Sequence, residues 1–350
     1  MTTLAETLAW LVDIPSVTAE EGRITTEIAA RLYPALGLDG VDRFGNSLIA
    51  GRRTGRPLFV LAGHVDTVPS QGQGPARVEA GRLHGLGAAD MKSGVAVMLH
   101  LLEDAAVAMG SYDLVGIFYA GEEGPSAGNE LEQVLNSALW LQEAELAVVL
   151  EPSDGEIQVG CNGLINARVS FVGKSAHAAR PWLGENAISK AGQFLAGLHQ
   201  RQPEAVEIGG LVYREVVSAT RAQGGIANNI IPPVFELNLN YRFAPTRTLA
   251  EAEAALREIC SAADDVKVVD SAPAGRVDTD HVLLDQLAAA AGAARTAKQG
   301  WTDVARLGAR GIQAINFGPG ETAQAHQADE SVALSDLDRS FESLRSILTG

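Results

Sequence analysis

Apolar residues in this chain gather in short runs that stop at an acidic or imidazole side chain. Residues 60–61 lead to His64 and Asp66, residues 114–119 to Glu122 and Glu123, and residues 147–150 to Glu151. The run 312–317 opens the loop that carries His326. Short continuous apolar runs bounded by turn residues read as buried strands. Between them, helical spacing marks Leu4–Val12, 24–36 and 93–108. Strand-like and helical stretches therefore alternate, which predicts an α/β domain with a mostly parallel sheet. In such a sheet, ligands bind beyond the carboxyl ends of the strands. The side chains that end these runs are expected at that edge.

The pattern changes after Gly163. Residues 165–172 and 235–243 alternate apolar and polar, as strands with one covered face do. Helical runs at 186–199 and 248–262 and a strand-like 266–269 complete an α+β sandwich. From residue 275 the α/β character returns and closes with a helix over 335–348. The expected division is a larger domain over 1–163 and 275–350, with a smaller one inserted over 164–274.

Composition narrows the partners. With 350 residues and 46% hydrophobic content, the chain can build two cores. A net charge of −16 argues against nucleic acid or an anionic membrane as partner. Cys161 and Cys260 lack metal or redox spacing, so reduced thiols are expected. The N-terminal stretch has no basic region, and Asp13 and Pro15 interrupt its apolar run. It is not expected to be a signal peptide, and the expected location is cytoplasmic.

The acidic and imidazole residues imply a metal centre. A catalytic zinc usually takes about three protein ligands plus water. The candidates His64, Asp90, Glu123, Glu151 and His326 exceed that and fit two metals that share one carboxylate. Asp90 lies in a glycine-rich turn before a helix, where a plain N-cap is the alternative; it is read as the bridge. Asp66, two residues past His64 at a strand end, fits the carboxylate that orients a metal-bound imidazole. Adjacency of Glu122 and Glu123 suggests one metal ligand and one general base. Nitrogen and carboxylate donors without thiolate suit Zn2+, with Co2+ or Mn2+ as substitutes.

These residues stand in a series of motifs: GHVDTVP at 63–69, GAADMKSG at 87–94, GEEG at 121–124 and LEP at 150–152. GKSAH at 173–177, NIIP at 229–232 and the Ala325-His326 pair follow. Over nearly its whole length the chain resembles the zinc aminoacylase and carboxypeptidase family of co-catalytic metallohydrolases. The resemblance implies that His64 and Glu151 hold one Zn2+, Glu123 and His326 the other, and Asp90 bridges. It makes Glu122 the base, supported by Asp66, and implies a cis peptide at Asp90–Met91. It also gives the inserted domain the role of lid and dimerisation unit of a homodimer. There His177 meets the substrate carbonyl, and Asn229 and Arg242 meet the substrate.

The expected reaction is hydrolysis of a linear amide in a small N-acyl amino acid. The segments 300–307 and 316–320 most resemble the family's desuccinylases, implying removal of a succinyl group from N-succinyl-diaminopimelate in lysine biosynthesis. Acetylornithine deacetylation, or an aminoacylase or dipeptidase activity, is the alternative; the intact Glu122 and ligand set argue against a non-catalytic paralogue that only binds an amino-acid derivative. A departure from the desuccinylase pattern falls at residues 321–324, so that loop is a place where preference can change.

Overall fold

The computed structural model describes residues 2–350 and divides into two compact units. The first runs up to Gly160 and includes Arg276–Ala297 and Asp303–Gly350. The second comprises Cys161–Gly275 and Lys298–Thr302.

Alongside a small three-stranded sheet of Arg77–Glu79, Arg82–His84 and Ser331–Ala333, the first unit is built on an eight-stranded sheet. Its centre is the strand Leu58–His64, fully buried and parallel to both Asp113–Tyr119 and Ala144–Pro152. Ala314–Gly318 continues the parallel arrangement beside Ala144–Pro152. Val41–Phe44 and Ser47–Gly51 form a hairpin at one edge. At the other edge lie Ile157–Val159, antiparallel to Ala314–Gly318, and Arg295–Ala297. The continuous apolar runs of the central strands are what a sheet covered on both faces requires. Helices Leu4–Val12, Gly22–Leu36, Lys92–Glu103 and Leu334–Thr349 supply covering apolar side chains.

The stretch 93–108, read from sequence as one helix, is two. Lys92–Glu103 ends where the Asp104 carboxylate accepts the N–H groups of Ala106 and Val107, and a short helix Ala105–Ala108 follows. Asp104 therefore acts as an N-cap inside an apolar pattern. Similarly, 186–199 divides into Ala187–Lys190 and Gly192–Gln200, the first capped by Asn186.

In the second unit five antiparallel strands run in the order Glu204–Ile208, Leu211–Gly224, Val234–Phe243, Gly163–Val172, Asp265–Ala272. Alternating burial along Gly163–Val172 puts Ile165, Ala167, Val169 and Phe171 on one face. These pack with Phe194 and Leu256 from the helices Gly192–Gln200 and Leu249–Ile259. Among the described residues no helix is long and apolar enough to cross a membrane.

Candidate metal centre

The parallel strands of the first unit end level with one another. His64 closes its strand opposite Tyr119, the last residue of the neighbouring one. Three and four residues beyond Tyr119 come Glu122 and Glu123, while Glu151 sits near the end of Ala144–Pro152. Gly121 makes the turn between: its φ is +81°, and a Cβ there would lie 2.3 Å from the Gly128 carbonyl oxygen. Only glycine fits that approach. Asp90 enters from the turn before Lys92–Glu103, and the Asp90–Met91 peptide is cis, as the resemblance implies. His326 arrives on the loop after Ala314–Gly318 with a left-handed φ of +61°.

These side chains converge. His64 Nε2 lies 3.1 Å from Asp90 Oδ1 and 3.7 Å from Glu151 Oε1. His326 Nε2 lies 3.0 Å from Glu123 Oε1 and 3.4 Å from Asp90 Oδ2. Two three-residue sets result, His64–Asp90–Glu151 and Asp90–Glu123–His326, each with donor atoms within 4.8 Å of one another. Donors about 3.3 Å apart are what tetrahedral bonds of about 2 Å require. Asp90 belongs to both sets and turns a different oxygen to each. A further grouping of His64, Glu122 and Glu123 brings Glu122 beside the same centre.

The protonation states carry the same signature. Burial alone would lower the His64 imidazole; hydrogen bonds with Asp66 and Asp90, and the nearby carboxylates of Glu151 and Glu122, raise it well above its ordinary value. Hydrogen bonds with Asp90 and then Glu123 push His326 up to about 10. Asp90 is held far below the carboxylate range by both imidazoles, against the opposing effect of burial. Glu122 goes the other way: burial first, then the charges of Glu151, Asp303 and Glu123, hold it well above its usual range despite His64. Four carboxylates facing two imidazoles are a site for cations. Divalent metals fit this donor set of imidazole nitrogens and carboxylate oxygens.

Asp66 is fully buried and does more than face His64. The His64 Nδ1 lies 3.1 Å from the Asp66 carbonyl oxygen and 3.5 Å from its Oδ1. Its carboxylate also accepts the N–H groups of Glu122 and Glu123, both at 3.1 Å, and the Thr18 hydroxyl at 2.9 Å. One carboxylate thus fixes the first imidazole and the backbone of both glutamates.

Sequence reasoning missed a second support. Asp303 is completely buried, accepts from Asn129 Nδ2 at 2.9 Å and pairs with Arg306 Nε at 2.8 Å. Arg306 also donates to the Ser126 carbonyl and hydroxyl. Both contacts grip the loop that follows Glu122 and Glu123. The phenol of Tyr119 is buried beside Asp303, and burial and that carboxylate raise it well above its ordinary value. The Asp303–Arg306 spacing, one helical turn, was the available signal.

Residues 321–324 are occupied in holding their own loop. Glu321 forms a two-pronged pair with Arg82, at 2.7 and 3.0 Å, and Thr322 bonds to Asp154 through its N–H and hydroxyl. Gln324 accepts from the Ser331 N–H at 3.1 Å.

Within the second unit, His177 and Asn229 lie on paired segments: His177 bridges to Ile230, and the Ala178 N–H donates to the Asn229 carbonyl. Both side chains are exposed, and His177 Nδ1 accepts from the Ala179 N–H. Arg242, on the strand Val234–Phe243, bonds to Asn240 Oδ1 at 2.9 Å. Burial lowers its pKa. The Trp301 indole donates to the Pro273 carbonyl, which gives it a structural partner.

The model of peptidase family M20/M25/M40 matches residues 60–350. The chain belongs to the M20/M25/M40 peptidase family. A Mycobacterium tuberculosis relative, provisionally named succinyl-diaminopimelate desuccinylase DapE, is 40% identical over 99% of this chain and 98% of its own. Succinyl-diaminopimelate desuccinylase of Corynebacterium glutamicum is 38% identical, over 93% of this chain and 91% of its own. Among solved structures, the M20 metallo-carboxypeptidase of Sulfolobus solfataricus shares the fold with a TM-score of 0.78, at 14% identity over 100% and 99% of the two chains. A Bacillus subtilis M20 peptidase described as dinuclear metal-binding matches with a TM-score of 0.69, at 18% identity over 99% and 96%.

Proposed function

We propose that this protein is a di-metal amidohydrolase that cleaves N-succinyl-LL-2,6-diaminopimelate to succinate and LL-2,6-diaminopimelate, a step of lysine biosynthesis. The observation that carries the chemistry is Asp90, whose two carboxylate oxygens face the two imidazole-containing ligand sets. Full-length likeness to desuccinylases at 38–40% identity supports the substrate.

In this reading His64, Glu151 and Asp90 would hold one zinc ion, and Glu123, His326 and Asp90 would hold the other. When bound, the ions supply Lewis acidity toward the amide carbonyl and acidify water. Glu122, which stands beside the ligands of both sets, is the base that takes a proton from the attacking water. It then delivers that proton to the leaving nitrogen as the carbon–nitrogen bond breaks, leaving a carboxylate and an amine. Asp66 keeps Glu122 in place through its N–H and keeps His64 oriented. His177 stabilises the oxyanion, with Asn229 and Arg242 meeting substrate. The second unit acts as lid and as the dimerisation surface of a cytoplasmic homodimer.

Deacetylation of an N-acetyl amino acid is the second reading. An N-acetyl-L-citrulline deacetylase of Xanthomonas campestris is 26% identical over 96% of this chain, which favours the same chemistry on another acyl group. The test of the main reading is release of succinate from N-succinyl-LL-2,6-diaminopimelate, lost with a chelator and restored by Zn2+. A fully metal-loaded protein that leaves this substrate intact refutes it.

A further inference from the structure

Glu330 is an acidic residue with almost no solvent exposure, 2%, yet none of the chemistry above uses it. Its carboxylate is spent on backbone donors. Oε2 accepts the Gly87 N–H at 2.9 Å, and Oε1 accepts the N–H groups of Ala89 at 2.8 Å and Asp90 at 3.0 Å. Its own carbonyl accepts the Gly85 N–H at 3.1 Å. One residue therefore grips the turn 85–90 from side chain and main chain together. The last donor is the amide of Asp90 itself.

The other end of the segment matters as much. His326 stands four residues before Glu330 on the same loop, and its carbonyl accepts from Gln71 Nε2 at 2.9 Å. Glu330 thus joins the turn that presents Asp90 to the loop that presents His326. Those two ligands stand 3.4 Å apart, His326 Nε2 to Asp90 Oδ2. A carboxylate that accepts through both oxygens is required here. An amide would turn its NH2 toward one of the backbone donors, and a shorter acid would not reach all three.

We propose that Glu330 is a positioning residue for the metal centre, setting the Asp90 carboxylate and its spacing to His326. The inference rests on the two-metal reading. Partners one step removed from the ligands typically change metal affinity 10–100-fold when altered.

The experiment titrates Co2+ into metal-free wild type, Glu330→Gln and Glu330→Asp, following ligand-field absorption, and records kcat against free Co2+. Both variants should bind Co2+ about 10–100-fold more weakly, with altered ligand-field bands. Activity should return in excess Co2+, so the defect lies in metal binding more than in kcat. Wild-type Co2+ constants in both variants overturn the proposal. So does weakening in Glu330→Gln alone, because Glu330→Asp keeps the charge and changes only the reach. If Glu330→Gln does not fold, the Co2+ constants of Glu330→Asp decide alone; if neither folds, Glu330 serves the fold and the proposal falls. A wild-type protein that takes up fewer than two Co2+ ions would instead remove the two-metal reading itself.

Discussion

Asp90 turns one carboxylate oxygen to His64 Nε2, at 3.1 Å, and the other to His326 Nε2, at 3.4 Å. Two imidazoles from sequence positions far apart are brought to one side chain, and each has its own further carboxylate, Glu151 or Glu123. Glu122 stands at the same edge and is pushed toward its protonated form where Asp90 is held ionised. These opposed shifts belong to the metal-free site, where the imidazoles carry protons that the metals would replace.

Replacing Glu122 with Gln removes the proton carrier and keeps the side-chain shape. General acid–base groups contribute roughly 10²–10⁴-fold, so kcat should fall by at least about 10²-fold. Metal content, measured by atomic emission, should stay that of wild type. Near-wild-type kcat would remove Glu122 from the proposed role.

Metal binding should release protons. In the metal-free protein His326 is raised to about 10 by Asp90 and Glu123, and His64 is raised as well. A raised imidazole adds stability that is fully present below its unfolded value, about 6.5, and lost as pH rises through the folded value. At neutral pH a metal must displace those protons, so apparent metal affinity should increase as pH rises. NMR titration of metal-free protein should place the His326 imidazole far above 6.5. A midpoint near the ordinary histidine value, with pH-independent metal affinity, would contradict this.

Asp303 should matter for stability. Removing one partner of a buried ion pair strands the other charge and costs about 3–5 kcal/mol. Asp303→Ala leaves Arg306 and Asn129 without that carboxylate, so denaturant unfolding should show a loss of this order. An unchanged unfolding midpoint would show that the contacts to the 126–129 loop carry little energy.

Much of this arrangement was legible in the chain because it rests on local patterns. Apolar runs ending at His64, Glu122 and Glu151 mark buried parallel strands, and a sheet of that type aligns their ends. The alternation at 165–172 and 235–243 likewise foretold a sheet with one covered face. What escaped were features fixed by tertiary contact. Asp104 stops a helix inside an apolar run because its side chain caps the next one. Asp303 and Glu330 look like ordinary surface acids in sequence, yet both are buried and bonded to groups far away along the chain. Residues 321–324 depart from the resembling pattern, yet the structure commits Glu321 to Arg82 and Thr322 to Asp154.

The most direct test of the proposed reaction compares N-succinyl-LL-2,6-diaminopimelate with N-acetylornithine on the zinc-loaded protein under identical conditions. A kcat/KM preference of at least about 10²-fold for the succinyl substrate is expected, roughly 2.7 kcal/mol of transition-state discrimination. An equal rate on both, or a preference for the acetyl substrate, would contradict it.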